Sequence, residues 1–94
     1  MKILGRELID KFKKKHSMSR KPLDRFVAVV HSAIWEKHSD ITDTFNSADK
    51  VGENLYIFNI KGNDYRLEAR IKIINGTFRI LEIMTHSEYD KKKY

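Results

Sequence analysis

The first quarter of the chain has the hydrophobic spacing of a short strand followed by an amphipathic helix. Residues 1–4, MKIL, are mostly apolar and predict a brief strand. Leu8 and Phe12 then lie four positions apart, so they share one face of a helix that we expect from Gly5 to Lys15. The basic run that ends this segment, KFKKKH, is typical of a solvated helix face.

A second and longer helix is predicted from Ser19 to His38. Its apolar residues recur at intervals of three and four, which places them on one face: Leu23, Phe26, Val27, Val30 and Ile34. Ser19 can cap this helix, and Pro22 falls in its first turn, where a missing N–H is tolerated. Residues 39–53 are polar and turn-rich, so we expect a connecting loop there, with a brief strand near Val51.

The second half of the chain changes to the pattern of strands. Three runs rich in aromatic and branched residues follow one another: NLYIFNI, YRLEARIKII and TFRILEIMT. They are separated by KGND and by Asn75-Gly76, a dipeptide that favours a tight type I′ turn. The pattern therefore predicts consecutive antiparallel hairpins, arranged as a meander.

The middle strand predicts a sheet with one apolar face and one charged face. Side chains alternate along a strand. The residues expected to face the helices are Tyr65, Leu67, Ala69, Ile71 and Ile73, and those expected on the opposite face are Arg66, Glu68, Arg70 and Lys72. Together these patterns predict an α+β domain with two N-terminal helices packed on one face of an antiparallel sheet.

Composition narrows the class of protein. A chain of 94 residues predicts one domain, over residues 1–94. It has no cysteine, which excludes disulfides, thiolate metal sites and cysteine nucleophiles. No apolar run approaches the roughly 20 residues that span a bilayer, and no signal-peptide pattern is seen, so we expect a cytoplasmic protein that does not contact membranes. The net charge of +6 favours polyanionic partners.

Two further sets of polar residues are candidates for chemistry. His31 and His38 lie seven positions apart and could share a metal, but no carboxylate motif accompanies them, so packing or surface placement is favoured and no metal site is predicted. Arg66, Arg70 and Lys72 of the middle β-strand could contact successive phosphates of a single-stranded nucleic acid. Arg79 from the next β-strand could join them. The alternative is an ordinary amphipathic strand, in which Glu68 pairs with its neighbours.

The segment MTHSEYD, residues 84–90, predicts a short C-terminal helix. Residues 85–88, THSE, fit the capping box, in which a threonine caps a helix and the glutamate bonds back to it. This helix would begin near Thr85 and place His86 and Tyr89 one turn apart on the same side. The capping box does not explain why a histidine and a tyrosine occupy these positions.

Two motifs, YIFNIKGNDYRLEARI and EIMTHSEYDK, resemble the HigB family of toxins from bacterial toxin–antitoxin pairs, in the RelE-like superfamily. The resemblance implies a RelE/ParE-like fold, with two helices on a curved antiparallel sheet. It also implies cleavage of messenger RNA on the translating ribosome, and a helix-turn-helix (HigA-like) antitoxin that forms a hetero-oligomer with the toxin. The motif positions carried over are Asn59, Gly62, Asn63, Arg66, Thr85, His86, Tyr89 and Asp90.

RNA cleavage without a metal or other cofactor needs a base for the 2′-hydroxyl, a cation for the phosphorane and an acid for the 5′-oxygen. His86 and Arg66 are the first candidates, because an imidazole serves as base or acid near neutral pH. Tyr89 would donate a hydrogen bond or stack a base, and Asp90 would orient either residue. Which residue is base and which is acid stays open, and Glu88 is a rival base. Asn63, Arg70, Lys72 and Arg79 are the candidate RNA-binding residues.

Two other functions fit the same residues. The first is a noncatalytic module that binds RNA or blocks translation through its basic sheet. The second is a toxin relative that has lost its activity and persists as a partner of its antitoxin. Cleavage within codons would favour the nuclease, whereas arrested but intact messages would favour the first alternative.

Overall fold

A computed structural model describes residues 1–92 as four helices packed with a five-stranded sheet. The helices are α1 (Arg6–Lys15), α2 (Arg20–Ser32), α3 (His38–Thr44) and α4 (His86–Asp90). The strands are β1 (Lys2–Leu4), β2 (Asp49–Gly52), β3 (Leu55–Ile60), β4 (Tyr65–Lys72) and β5 (Thr77–Thr85). Short 3₁₀ turns precede α2 and β5, at Ser17–Ser19 and Ile73–Asn75. No helix within residues 1–92 is long and apolar enough to cross a membrane.

The strands lie in the order β1-β5-β4-β3-β2, in an open sheet. Strands β2 to β5 pair antiparallel, which confirms the predicted meander and the brief strand near Val51. Strand β1 pairs parallel to β5, with Ile3 opposite Phe78, so the complete sheet is mixed. The predicted α+β class and the short C-terminal helix are also confirmed.

The main core lies between α1, α2 and α3 and the inner face of the sheet. Leu67, Ala69 and Ile71 of β4 are fully buried there, as their alternation predicted. They meet an aromatic cluster in which neighbouring ring centroids lie 4.8 to 5.9 Å apart: Phe26, Phe45, Phe58 and Phe78. Burial of rings of this size dominates core energetics, so this cluster fixes the helices on one face.

The second helix is shorter than predicted. It ends at Ser32 instead of His38, and Ile34, expected on its buried face, is 87% exposed. The N-terminal ammonium group donates to the carbonyl of Ala33 over 3.0 Å and to that of His31 over 3.3 Å. These bonds satisfy carbonyls at the helix end, where a cation also complements the helix dipole. Ser19 does not cap the helix through its side chain, because its hydroxyl donates to the His16 carbonyl over 2.6 Å.

Two local predictions were also wrong. Residues 39–44, expected to be loop, belong to α3, whose start is fixed by the Asp40 carboxylate accepting from the N–H groups of Glu36 and Lys37. These bonds lower the pKa of Asp40, the bond from Glu36 most. Asn75-Gly76 does not form a two-residue hairpin turn. Asn75 ends a 3₁₀ turn, and only Gly76, at φ 64°, adopts the left-handed conformation.

Candidate active site

The outer face of the sheet, opposite the core, carries the candidate catalytic residues at one end. Arg66 of β4 lies opposite Asn59 of β3 and Met84 of β5. Strand β5 leads directly into α4, which packs back onto β4 and β5. Arg66 is therefore only 8% exposed, although sequence alternation predicted an open charged face.

The capping box predicted at Thr85 fixes where α4 begins. The Thr85 hydroxyl accepts a hydrogen bond from the Glu88 N–H over 3.2 Å, and the Glu88 carboxylate accepts one from the Thr85 N–H over 2.8 Å. The pKa of Glu88 is held below its usual range, chiefly by the hydrogen bond from the backbone N–H of Thr85. The Thr85 hydroxyl lowers it further, followed by the charges of Lys15 and His16. A carboxylate that is bound and stabilised in its ionised form is a weak base, so Glu88 serves as a cap.

Arg66 is the centre of what we call the Arg66 cluster: Asn63, Arg66, His86, Tyr89 and Asp90. Its Nη1 donates to the carbonyl of Asn63 over 2.9 Å and to that of Tyr65 over 3.2 Å. Its Nη2 lies 3.4 Å from His86 Nδ1, and its Cζ lies 5.3 Å from the centroid of the Tyr89 ring. Within residues 1–92 no carboxylate forms an ion pair with this guanidinium.

The contact between Arg66 and His86 favours one tautomer of His86. A guanidinium has only donors, so the Nδ1 that faces Arg66 must carry the lone pair in the neutral ring. Nε2 then carries the proton, and it lies 3.5 Å from Asp90 Oδ2. The backbone N–H of His86 donates to the Asp64 carbonyl over 2.9 Å, which ties α4 to the turn between β3 and β4. In that turn the Asn59 amide donates to Asn63 Oδ1 over 3.4 Å.

The remaining predicted RNA-binding residues form a separate group further along the outer face. Arg70 lies directly opposite Arg79, and Lys72 lies opposite Thr77. They line a cavity of about 220 Å³, which we call the distal basic pocket: Leu4, Arg70, Lys72, Asn75, Thr77 and Arg79. No acidic residue of the described chain is among its lining residues. Four strand positions separate Arg70 from Arg66, which corresponds to about 13 Å.

Sequence reasoning missed Lys92, which lies between these two groups. Its Nζ is 3.8 Å from Glu68 Oε1 and forms a second ion pair with Glu82. A lysine in a basic C-terminal run carried no signal of this role, because the pairing of Glu68 with Glu82 depends on strand register. The two histidines considered for a metal site lie elsewhere: His31 is exposed, and His38 Nδ1 is hydrogen-bonded to the Tyr56 hydroxyl. Within residues 1–92 no three His, Cys, Asp or Glu side chains are grouped to hold a metal ion.

An open sheet with helices on one face, and a short terminal helix beside a cationic cluster on the other, defines a small RelE-like α+β domain. The chain belongs to the HigB_toxin family, the RelE-like toxic component of a toxin–antitoxin system, whose family model matches residues 19–92. The match contains both motifs that carried the resemblance and confirms it. The chain is therefore a toxin whose partner is an antitoxin. No curated protein matches it.

Proposed function

We propose that this toxin is an endoribonuclease that cleaves messenger RNA on the translating ribosome, without a metal or other cofactor. One observation carries the proposal. A nearly buried arginine that lacks a carboxylate partner in the described chain stands beside a histidine whose far nitrogen faces Asp90. Burying a cation is costly unless it is paired, and an RNA phosphate would supply the missing anion.

The geometry favours His86 as the general base. A histidine with one nitrogen beside a carboxylate can accept a proton on the other nitrogen, and here that other nitrogen is Nδ1. Because Nδ1 lies 3.4 Å from Arg66 Nη2, a phosphate bound to Arg66 would bring its neighbouring 2′-hydroxyl within reach of His86. Asp90 orients the ring and stabilises the imidazolium that forms.

The reaction is an internal transesterification. The 2′-oxygen attacks phosphorus while its proton passes to His86 Nδ1, and Arg66 stabilises the charge that develops on the nonbridging oxygens. The bond from phosphorus to the 5′-oxygen then breaks, and the Tyr89 hydroxyl donates the proton that this oxygen needs. The products are a 2′,3′-cyclic phosphate and a free 5′-hydroxyl. Arg70, Lys72 and Arg79 bind phosphates further along the strand, and Asn63 contacts RNA beside Arg66.

The proposed partners follow from the same surface. The ribosome presents messenger RNA as a single strand, which suits an open basic face. We propose that the antitoxin is a helix-turn-helix protein of the HigA type that forms a hetero-oligomer with the toxin. It would neutralise the toxin by covering the outer face or by excluding it sterically from the ribosome.

Cleavage by the purified chain tests the proposal. We expect single-stranded RNA incubated with excess chelator to yield 2′,3′-cyclic phosphate ends, and His86→Ala to lower the rate by about 10²- to 10⁴-fold. His31→Ala is the matched control, because it removes an exposed histidine from α2 and should leave the rate unchanged. Ribosomes need magnesium, so the chelator test uses isolated RNA, and cleavage of messages on translating ribosomes is measured separately without chelator.

Three results would contradict the proposal in different ways. Activity that vanished with chelator and returned with magnesium would exclude this side-chain mechanism. Messages that stayed intact while translation stopped would favour a noncatalytic module that blocks translation. A chain that bound its antitoxin but neither cleaved RNA nor stopped translation would be an inactive relative.

A further inference from the structure

A row of negative charge crosses the outer face between the Arg66 cluster and the distal basic pocket. Glu68 of β4 lies directly opposite Glu82 of β5. Like charges at opposite positions of an antiparallel pair repel each other. Arg66 and Arg70 stand on either side of Glu68 on the same face, because residues two apart on a strand point the same way. A phosphate backbone that runs between the two cationic groups must therefore pass two carboxylates.

Lys92 contacts both of these carboxylates. Its Nζ lies 3.8 Å from Glu68 Oε1 and also forms an ion pair with Glu82 Oε2. The position of the lysine is fixed by α4, since the Lys92 N–H donates to the Tyr89 carbonyl over 3.0 Å. The same short helix that supplies His86 and Tyr89 thus places a cation over the middle of the face.

We propose that Lys92 offsets the Glu68–Glu82 pair and thereby joins the Arg66 cluster and the distal basic pocket into one track for a single-stranded phosphate backbone. This inference rests on the proposed function and adds the path of the RNA to it. The ammonium neutralises one of the two negative charges and so lowers the repulsion that a passing phosphate meets. Without Lys92, the two cationic groups would be separated by an uncompensated repulsive row.

Binding of a single-stranded RNA whose 2′-oxygens are all methylated tests the proposal apart from catalysis, because such an RNA cannot be cleaved by 2′-hydroxyl attack. Fluorescence anisotropy at low salt should show that Lys92→Gln weakens binding by about fivefold, the effect of one exposed charge. Lys92→Glu should weaken it by about tenfold or more. Lys91→Gln is the matched control, since it removes the same charge from the adjacent position, and it should change binding by less than about twofold.

A rescue experiment separates charge compensation from anchoring of the C-terminal segment. In the Lys92→Gln background, changing both Glu68 and Glu82 to glutamine removes the repulsive row. We expect this triple variant to recover binding to within about twofold of the unmodified chain. Thermal unfolding of each variant shows whether the fold is intact.

Each contrary result has a distinct meaning. Equal weakening by Lys91→Gln and Lys92→Gln would show that only net charge matters, and would overturn the inference. Unchanged binding by Lys92→Gln would reduce Lys92 to an anchor of the C-terminal segment. A triple variant that stayed weak while folded would show that Lys92 does not act by offsetting the Glu68–Glu82 pair, and would overturn the inference. Failure of the unmodified chain to bind the RNA would overturn the proposed function together with the inference.

Discussion

Arg66 differs from the other cations of the outer face because two hydrogen bonds to the backbone fix the orientation of its guanidinium. Two backbone carbonyls accept hydrogen bonds from Nη1, and the planar guanidinium then directs Nη2 toward His86. A lysine at this position would carry the same charge as a single point on a flexible stem, so it could not bind the carbonyls and face His86 in the same fixed geometry. The planar geometry of the Arg66 guanidinium is therefore expected to matter for cleavage as much as its charge.

The first prediction follows from this difference. Arg66→Lys should lower the cleavage rate by about 10²-fold, the effect of losing one aligned donor to the transition state. It should also lower the free energy of unfolding by about 1 to 2 kcal/mol, because buried hydrogen bonds from a charged group are lost. Single-turnover cleavage and chemical denaturation measure the two effects.

Arg20→Lys is the matched control, because Arg20 is exposed, lies outside the proposed RNA-binding residues and keeps its charge in the variant. Its cleavage rate and stability should stay close to those of the unmodified chain. If Arg66→Lys cleaved RNA at the unmodified rate, Arg66 would serve the turn between β3 and β4 and not the reaction. Arg66→Ala is a poorer test, since it also removes a largely buried side chain.

Sequence reasoning identified the residues of the Arg66 cluster better than their surroundings. Arg66, His86, Tyr89 and Asp90 were singled out from two motifs, and the structure brings them together. Alternation along β4 gave Arg66 the correct face, but it could not show that α4 would cover it. Burial of a strand residue by a later helix depends on tertiary packing, which no local pattern records.

At the scale of elements, α4 depends on its capping box more than a longer helix would. Five residues are too few to form a stable helix alone, and no residue of α4 is fully buried. Thr85→Ala should lower the free energy of unfolding by about 1 kcal/mol through loss of the cap. It should reduce cleavage only indirectly, by loosening His86 and Tyr89. Thr42→Ala, at an exposed position within α3, is the control for stability.

The same cap predicts how the contribution of Glu88 to the free energy of unfolding depends on pH. Because the pKa of Glu88 is lowered in the folded chain, chiefly by the Thr85 N–H, its contribution is complete above the unfolded value near 4.5. The stabilising contribution of Glu88 is lost as the pH falls from that unfolded pKa through the lower pKa of the folded chain. The stability difference between the unmodified chain and Glu88→Gln should therefore be present at neutral pH and shrink on acidification. A difference that grew below pH 4.5 would contradict the assignment.

Two local structures, helix α3 and a bulge in strand β5, could not be predicted from the sequence pattern. Helix α3 was missed because it is polar, with Ile41 as its buried residue, and because its start is fixed by Asp40 bonding back to residues 36 and 37. Strand β5 contains a bulge, since Glu68 pairs with Glu82 while Ala69 pairs with Ile80. Leu81 is the extra residue, so simple alternation from Arg79 would place Glu82 on the wrong face.

At the scale of the whole molecule, the two faces of the sheet are specialised. Helices α1, α2 and α3 cover the inner face with an apolar core, and the outer face carries the Arg66 cluster, the Glu68–Glu82 row and the distal basic pocket. The chain has 19 basic and 13 acidic residues, so electrostatic attraction to RNA acts on the molecule in general. The position of each charge decides whether it contacts a phosphate.

Arg79→Gln therefore should behave differently from Arg20→Gln, although both lower the net charge by one. Arg79 lies on the outer face in the distal basic pocket, whereas Arg20 is exposed at the start of α2. Each phosphate contact to a single strand contributes about 0.7 to the slope of log affinity against log salt concentration. The slope should become shallower by about 0.7 in Arg79→Gln and stay nearly unchanged in Arg20→Gln. Equal slopes in the two variants, measured with methylated single-stranded RNA over a range of salt, would show that the distal basic pocket does not contact the backbone.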